Sequence, residues 1–181
     1  MTKKTSEKIM GKVKEFLSLN DSQRDTQLDQ KGIKRWFQLK QELEQILFST
    51  PPSSVPFKEK RKSIRIRNLK IPVQFEHAME KMDAQISEIS EGGLFLKTTD
   101  LIPVGTTLLL KVHLPGDFRE KRNVENHELE ISAQVVFNHG GSSFGDKAFS
   151  GMGMRFAKEL QDPLRKEWFS LVDYLLQESM D

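Results

Sequence analysis

Residues 129–137 read Leu-Glu-Ile-Ser-Ala-Gln-Val-Val-Phe, and this stretch decides the predicted fold. Apolar side chains occupy every second position from Leu129 to Phe137, and mostly polar ones stand between them. Successive side chains of a strand point to opposite faces, so this alternation predicts a half-buried antiparallel strand. Residues 108–114 and 73–77 alternate in the same way and predict two more strands.

Three further segments complete a set of six predicted strands, namely residues 83–89, 94–97 and 151–156. Turns are predicted between strands at Gly92-Gly93, Pro103–Gly105, Pro115-Gly116 and Gly140-Gly141. Six short strands without intervening helices indicate a small barrel or a sandwich. A helix is predicted after them, because Asp162 suits an N-cap, Pro163 suits the first helical position, and an apolar stripe follows.

The first 48 residues have helical periodicity instead. Ile9, Val13, Phe16 and Leu17 share one helical face, and a second stripe contains Ile33, Trp36, Phe37, Leu43, Ile46 and Leu47. Three prolines in residues 49–57 predict a linker. The predicted organisation is a helical segment (1–48), a Pro/Ser linker (49–57) and a β domain with a C-terminal helix (58–181). The helical stripe is either buried within the monomer or forms a surface for a partner or a second copy.

The composition limits the possible functions. Lys and Arg total 28 and Asp and Glu total 26 in 181 residues, so the net charge is only +2 and any electrostatic function must be local. The sequence has no cysteine, which excludes disulfides and thiolate chemistry and fits a reducing compartment. No apolar run is long enough to span a membrane, and no secretory signal is evident. We therefore expect a cytoplasmic protein.

The sequence shows no arrangement of residues that predicts catalysis. Residues 141–145 match G-x-S-x-G, but that motif needs a strand that turns into a helix, and strands are predicted on both sides. The four histidines lack metal-ligand spacing, and no P-loop sequence is present. We expect a binding module rather than an enzyme, with no metal and no cofactor.

The strongest local charge lies in residues 58–67, which contain six positive residues and one negative residue. Such a segment is suited to an anion, and arginine adds a planar fork for phosphate and a flat face for stacking on a base. The alternative interpretation is a solvated linker that keeps the chain soluble.

A second segment, residues 88–93, reads Glu-Ile-Ser-Glu-Gly-Gly between two predicted strands. Glu88 and Ser90 are two residues apart and should share one face of a strand. A carboxylate can accept hydrogen bonds from the N–H groups of guanine, and tandem glycines allow close approach of the backbone. Together the two segments predict a ligand that combines guanine with phosphate.

These residues strongly resemble the PilZ domain, a bacterial receptor module for cyclic di-GMP. Its R-x-x-x-R motif corresponds to Arg61–Arg65, and its D/N-x-S-x-x-G motif corresponds to Glu88–Gly93. Arg67 lies outside both motifs. The resemblance covers about residues 58–178 and includes the last strand, Gly151–Phe156, with the helix after it.

The resemblance implies a mainly β fold with flanking helices, built on a six-stranded antiparallel barrel that binds cyclic di-GMP on its outer surface. It further implies that Arg61 and Arg65 contact phosphates and guanine faces, that Glu88 takes the family's Asp role, that Ser90 hydrogen-bonds nearby, and that Gly93 leaves room. Glu88 departs from the family pattern by one methylene, which moves its carboxylate outward by ~1.5 Å. Weaker binding is expected from that departure.

The expected function is a cyclic di-GMP receptor that converts ligand binding into a change in protein–protein interaction. One alternative is a degenerate PilZ-like adaptor that does not bind the ligand. Another is a nucleic-acid binder, which is disfavoured because no aromatic platform for stacked bases is evident on the strands. The expected partners are cyclic di-GMP and an unidentified protein, by family analogy from motility or surface-attachment machinery, with a homodimer through the N-terminal helices as a further possibility.

Overall fold

The computed structural model describes residues 3–25, 28–48, 63–140 and 150–179, which form two compact units. The barrel unit runs from Arg67 to Leu171. The helical unit contains the chain up to Ile66 and the residues from Val172 onward. The predicted linker, residues 49–57, lies outside the described residues, so the predicted segment boundaries stay predictions.

Ten helices and strands occupy the described residues. In chain order they are α1 (Lys3–Asp25), α2 (Gln30–Phe48), β1 (Ile66–His77), β2 (Glu80–Ser90), β3 (Gly93–Lys97), β4 (Thr107–His113), α3 (Gly116–Arg122), β5 (Glu128–His139), β6 (Gly151–Phe156) and α4 (Leu164–Glu178). Sequence reasoning predicts a turn where α3 stands, although Phe118 of this short helix is fully buried.

The six strands close into an antiparallel barrel in the order β1-β2-β3-β6-β5-β4, so the predicted fold class is confirmed. The predicted alternation fills the interior, because every second side chain of a strand points inward. In β4 and β5 the inward residues Leu110 and Ile131 lie opposite each other in register and are fully buried. The outward residues of the same two strands, such as Lys111 and Glu130, form a cross-strand ion pair of 3.3 Å.

A β-bulge in β5 changes the predicted orientation of one aromatic residue. The pairing of β5 with β6 shifts register between Val135 and Phe137, and a bulge adds a residue that reverses the alternation beyond it. Phe137 is therefore 43% exposed rather than a core residue. Its ring covers Gly153 so closely that a Cβ on that glycine would overlap the ring.

The helical unit contains a hairpin of α1 and α2 with its own apolar interior. Residues buried on α1 are Ile9, Val13 and Phe16, and those on α2 are Trp36, Leu39 and Leu43. The Trp36 indole donates a hydrogen bond of 3.0 Å to the buried amide oxygen of Asn20, so this polar pair is satisfied. The predicted second stripe is only partly buried within the hairpin, because Ile33, Phe37 and Ile46 lie outside the buried face and are exposed.

Charged side chains also join α1 to α2. Arg35 donates two hydrogen bonds, of 2.6 Å and 2.7 Å, to the carboxylate of Glu15. These hydrogen bonds favour the ionised carboxylate and hold the pKa of Glu15 below its ordinary value. Lys40 is 1% exposed, with its ammonium 3.5 Å from Glu44, so its stem belongs to the hairpin interior.

No helix among the described residues is long and apolar enough to cross a membrane.

The first part of α4 packs against the barrel through Trp168. The Trp168 ring is fully buried and meets Phe156, at the end of β6, edge to face at 5.0 Å. Its indole nitrogen donates a hydrogen bond of 3.0 Å to the carbonyl oxygen of Ser90, the last residue of β2. This contact joins the helix to the end of β2, where the second predicted motif lies.

Candidate functional site

The β2–β3 hairpin brings three of the predicted site residues together. Glu88 and Ser90 are near the end of β2, and Gly93 begins β3, directly opposite Ser90 in the strand register. The Ser90 hydroxyl donates a hydrogen bond of 3.1 Å to the carbonyl oxygen of Gly93 and so closes the hairpin. In this structure Ser90 therefore stabilises the turn that carries the motif.

Gly93 has a packing reason to be glycine. A Cβ at this position would overlap the backbone carbonyl oxygen of Met154, because β6 runs close beside the start of β3. The neighbouring Gly92 differs, since a Cβ there would meet nothing within 4 Å. The resemblance assigns Gly93 the role of leaving room for a ligand, and the structure adds that it leaves room for β6.

We predict that Gly93→Ala destabilises the ligand-free protein by about 1–3 kcal/mol, the usual cost of an overpacked site. The measurement is chemical unfolding without ligand. Gly92→Ala is the matched control and should change stability by less than about 0.5 kcal/mol, as surface substitutions usually do. Equal stability of both variants and the wild type would show that β6 tolerates a side chain at Gly93.

Glu88 lies on the outer face of the barrel and forms an ion pair with the neighbouring strand. Its carboxylate oxygen is 3.2 Å from Nε of Arg67, near the start of β1. Glu88 is opposite Phe95 in the strand register, and a register shift between Ile86 and Glu88 precedes it. The carboxylate of Glu88 thus contacts an arginine on β1.

Arg67 is the site residue that sequence reasoning missed. It belongs to the charged segment, residues 58–67, but lies outside R-x-x-x-R, and sequence spacing gives no information on which residues of β1 and β2 are neighbours. One signal could have found the pair. Arg67 and Glu88 both point outward, and β1 and β2, which carry them, are neighbouring strands of the barrel. The structure therefore adds Arg67 to the candidate site.

Only one of the two arginines of the R-x-x-x-R motif lies among the residues that the structure describes. Arg61 lies outside the described residues. Arg65 is half-buried just before β1, and its neighbours along the chain, Ile64 and Ile66, are buried. Their predicted contact with the ligand stays a prediction.

A shallow hollow lies on the outer face of β1, β2 and β3. Its volume is about 250 Å³, and its lining contains Arg67, Asn68, Leu69, Lys70, Gln85, Ser87, Glu88 and Lys97. Three of these side chains are cationic and one is a carboxylate, so the hollow is suited to an anion. An adjoining hollow of about 410 Å³ shares Gln85 and Lys97 with it.

No cluster of three or more metal-ligating side chains occurs among the described residues. Residues 141–145, which match G-x-S-x-G, are not part of the described chain. The arrangement as a whole is a small β-barrel whose outer surface offers a carboxylate, hydroxyls and cations near a glycine turn. Those features define the class of a small β-barrel with a polar outer surface beside a glycine turn.

A family model for the PilZ domain matches residues 59–174, and the chain belongs to this family. The match includes both motifs and all six strands. The resemblance noted from the sequence is thereby confirmed. No curated protein sequence matches the chain.

Solved structures share the fold at low sequence identity. The PilZ domain of YcgR from Escherichia coli with c-di-GMP is 14% identical, with a TM-score of 0.52, 66% of this chain covered and 94% of that chain. The K. pneumonia MrkH–c-di-GMP complex is 18% identical, with a TM-score of 0.51 and the same 66% covered. The matched region spans 53% of that MrkH chain and 47% of the YcgR chain in a second c-di-GMP complex, at a TM-score of 0.50.

Proposed function

We propose that this chain is a receptor for cyclic di-GMP that converts binding into a change in protein–protein interaction. The observation that carries the proposal is the β2–β3 hairpin of a PilZ barrel, on which Ser90 and Gly93 follow the family motif and Glu88 stands at its Asp/Asn position. The proposed ligand-binding residues are Arg61, Arg65, Glu88, Ser90 and Gly93. The structures of YcgR and MrkH with c-di-GMP support the ligand by analogy.

The test is calorimetric titration of the full chain with cyclic di-GMP. Saturable binding with a defined stoichiometry is expected. GTP at the same concentrations serves as the control ligand, because it offers guanine and phosphate without the cyclic dinucleotide shape. Absence of heat with cyclic di-GMP would contradict the receptor function.

A second candidate function is a PilZ-like adaptor that does not bind the ligand. Specific contacts favour it, because each motif residue of the hairpin already has a structural role. Ser90 hydrogen-bonds to Gly93, Gly93 accommodates β6, and Glu88 pairs with Arg67. These structural roles would account for the motif residues even in a protein that binds no ligand. The titration with cyclic di-GMP therefore decides between the two functions.

Glu88 variants test whether its carboxylate contacts guanine. Glu88→Asp should preserve or tighten cyclic di-GMP binding, because it restores the family side chain. Glu88→Gln should weaken binding several-fold, about 0.5–1.5 kcal/mol, since one acceptor becomes a donor facing guanine N–H groups. The measurement is the dissociation constant by calorimetry.

The matched control is Glu130→Gln, which removes the charge of a carboxylate in another cross-strand ion pair, that with Lys111. It should leave affinity unchanged. Unchanged affinity in both Glu88 variants would mean that Glu88 serves only its ion pair with Arg67.

We further propose that ligand binding is communicated to the N-terminal helices. Arg61 and Arg65 stand between α2 and β1 along the chain, so holding them on a ligand restrains the segment that joins these elements. Ordering a residue costs about 1–2 kcal/mol of backbone entropy, which limits the net affinity and couples binding to conformation. Ile33, Phe37 and Ile46, which are exposed on α2, are the proposed contacts for a partner protein or a second copy.

Hydrogen exchange with and without cyclic di-GMP tests this coupling. We expect new protection across residues 58–67 and altered exchange in residues 33–47. Residues 128–135 of β5 provide the internal control and should exchange at the same rate in both states. Tight binding without a change in either region would show a static receptor.

The protein is proposed to act in the cytoplasm. This reducing compartment fits a chain without cysteine.

A further inference from the structure

The first half of β2, Glu80–Ala84, has a strand neighbour on one side only within the described chain. β2 lies between β1 and β3 in the barrel, but β3 pairs with it only from Gln85 onward. Beyond Lys97 the chain turns away, since the Thr98 amide donates a hydrogen bond to the carbonyl oxygen of Ser150 rather than to β2. This half-strand therefore presents an edge to which a further strand can bind.

The edge carries opposite charges that are spaced for pairing with a second copy of itself. Lys81 and Asp83 alternate with Met82 and are both exposed, so they share one face of the strand. Neither forms an ion pair with another described residue, although Asp83 accepts a hydrogen bond of 2.9 Å from the Gln74 amide group. When two copies of the edge run antiparallel with their Met82 residues opposite each other, Lys81 of each copy lies opposite Asp83 of the other. Opposite charges directly across a strand pair are favourable.

This register is two-fold symmetric, so the same ion pair forms twice, as an isologous dimer requires. A shift of one residue would place Lys81 opposite Met82 and would turn the side chains of one strand to the other face. Charged residues on an edge strand commonly prevent unspecific strand pairing. Here the order of the charges disfavours other registers and favours this one.

The turn before β2 adds a second observation. Ala78 and Met79 both have positive φ, of 51° and 66°, and the Met79 side chain is 94% exposed. In the two-fold register, Met79 of one copy lies opposite Gln85 of the other. Gln85 borders the hollow of about 410 Å³, whose lining includes the apolar side chains of Pro72 and Ala84. The hollow thus offers an apolar contact to a side chain that is otherwise in water.

We propose that this chain forms a two-fold dimer by antiparallel pairing of Glu80–Ala84 with the same segment of a second copy. Lys81 and Asp83 pair across the two strands, and Met79 of each copy enters the hollow of the other. Only a short segment of each copy pairs, so the interface is small and the dimer dissociates on dilution. The inference goes beyond the proposed function and does not depend on cyclic di-GMP.

Sedimentation velocity of the full chain without ligand, over a series of protein concentrations, tests the dimer. Lys81→Glu and Asp83→Lys should each weaken dimerisation by about tenfold, because each converts two attractions into two repulsions. The double variant Lys81→Glu/Asp83→Lys should dimerise like the wild type, since the ion pairs re-form with reversed signs. Lys158→Glu is the matched control, an equal charge change at an exposed lysine after β6, and should leave dimerisation unchanged.

Thermal unfolding of every variant should resemble that of the wild type, because the substituted side chains are exposed. A monomer at every concentration overturns the proposal, and so does a double variant that dimerises no better than the single ones. A dimer that persists in both single variants but is lost in Phe37→Ser also overturns it, since that dimer would use the exposed face of α2. Met79→Ser should weaken dimerisation several-fold, and an unchanged dimer in this variant overturns the contact of Met79 with the hollow.

Discussion

Arg65→Ala is expected to weaken cyclic di-GMP binding more than tenfold, and Arg61→Ala is expected to do the same. Each guanidinium should make a charge-assisted contact with the ligand, and the loss of such a contact costs about 1.5–3 kcal/mol. The double variant should bind at least about a hundredfold more weakly if the two contacts are independent. The dissociation constant by calorimetry is the measurement.

The control variant must leave the candidate site intact. It must therefore remove a positive side chain that lies outside that site. Arg67 is close to the motif in sequence, but its ion pair with Glu88 makes it part of the candidate site. Lys111 is the better choice, because it pairs with Glu130 on the outer face of β4 and β5. A loss in Lys111→Ala as large as that in Arg65→Ala would indicate non-specific electrostatics and contradict the site assignment.

Trp168→Ala is expected to lower the free energy of unfolding by about 3–5 kcal/mol, the usual cost of removing a buried aromatic ring. The ring is fully buried and meets Phe156 edge to face, so its removal leaves a cavity between α4 and the barrel. It also removes the hydrogen bond to the Ser90 carbonyl. Urea unfolding followed by circular dichroism is the measurement, since it does not depend on tryptophan fluorescence.

Trp168→Phe separates the two contributions. It retains an aromatic ring beside Phe156 but removes the indole donor, and it should cost less than Trp168→Ala, about 1–3 kcal/mol. Leu109→Ala is the surface control, because Leu109 is 50% exposed on β4, and it should have an effect below about 0.5 kcal/mol. An alanine variant at Trp168 as stable as the wild type would mean that the contacts of Trp168 with Phe156 and Ser90 do not contribute to stability.

The sequence allows the barrel to be predicted because alternation of apolar residues is a local signal. Residues 129–135 and 108–112 alternate and occupy adjacent strands whose inward residues meet in register. The prediction is wrong at Phe137, because a bulge interrupts the alternation and its position depends on the pairing with β6. It is also wrong at α3, where the burial of Phe118 is a tertiary contact that the local Pro-Gly turn signal does not include.

The candidate site could be predicted only where its residues are close along the chain. Glu88, Ser90 and Gly93 form one hairpin, so their spacing was informative. Arg67 was not predicted, because it reaches the site across a strand pair. Its contact depends on strand register, which spacing within one segment does not reveal.

The strand order has a consequence for synthesis on the ribosome. Chain elongation proceeds from the N-terminus, and β6, the last strand, pairs with β3 on one side and β5 on the other. Until Gly151–Phe156 has emerged, the nascent chain has no strand to fill that gap, and both neighbouring edges stay unpaired. Unpaired strand edges are templates for association with other chains. In the interval between emergence of β5 and of β6, the facing edges of β3 and β5 are therefore both open to pairing with other chains.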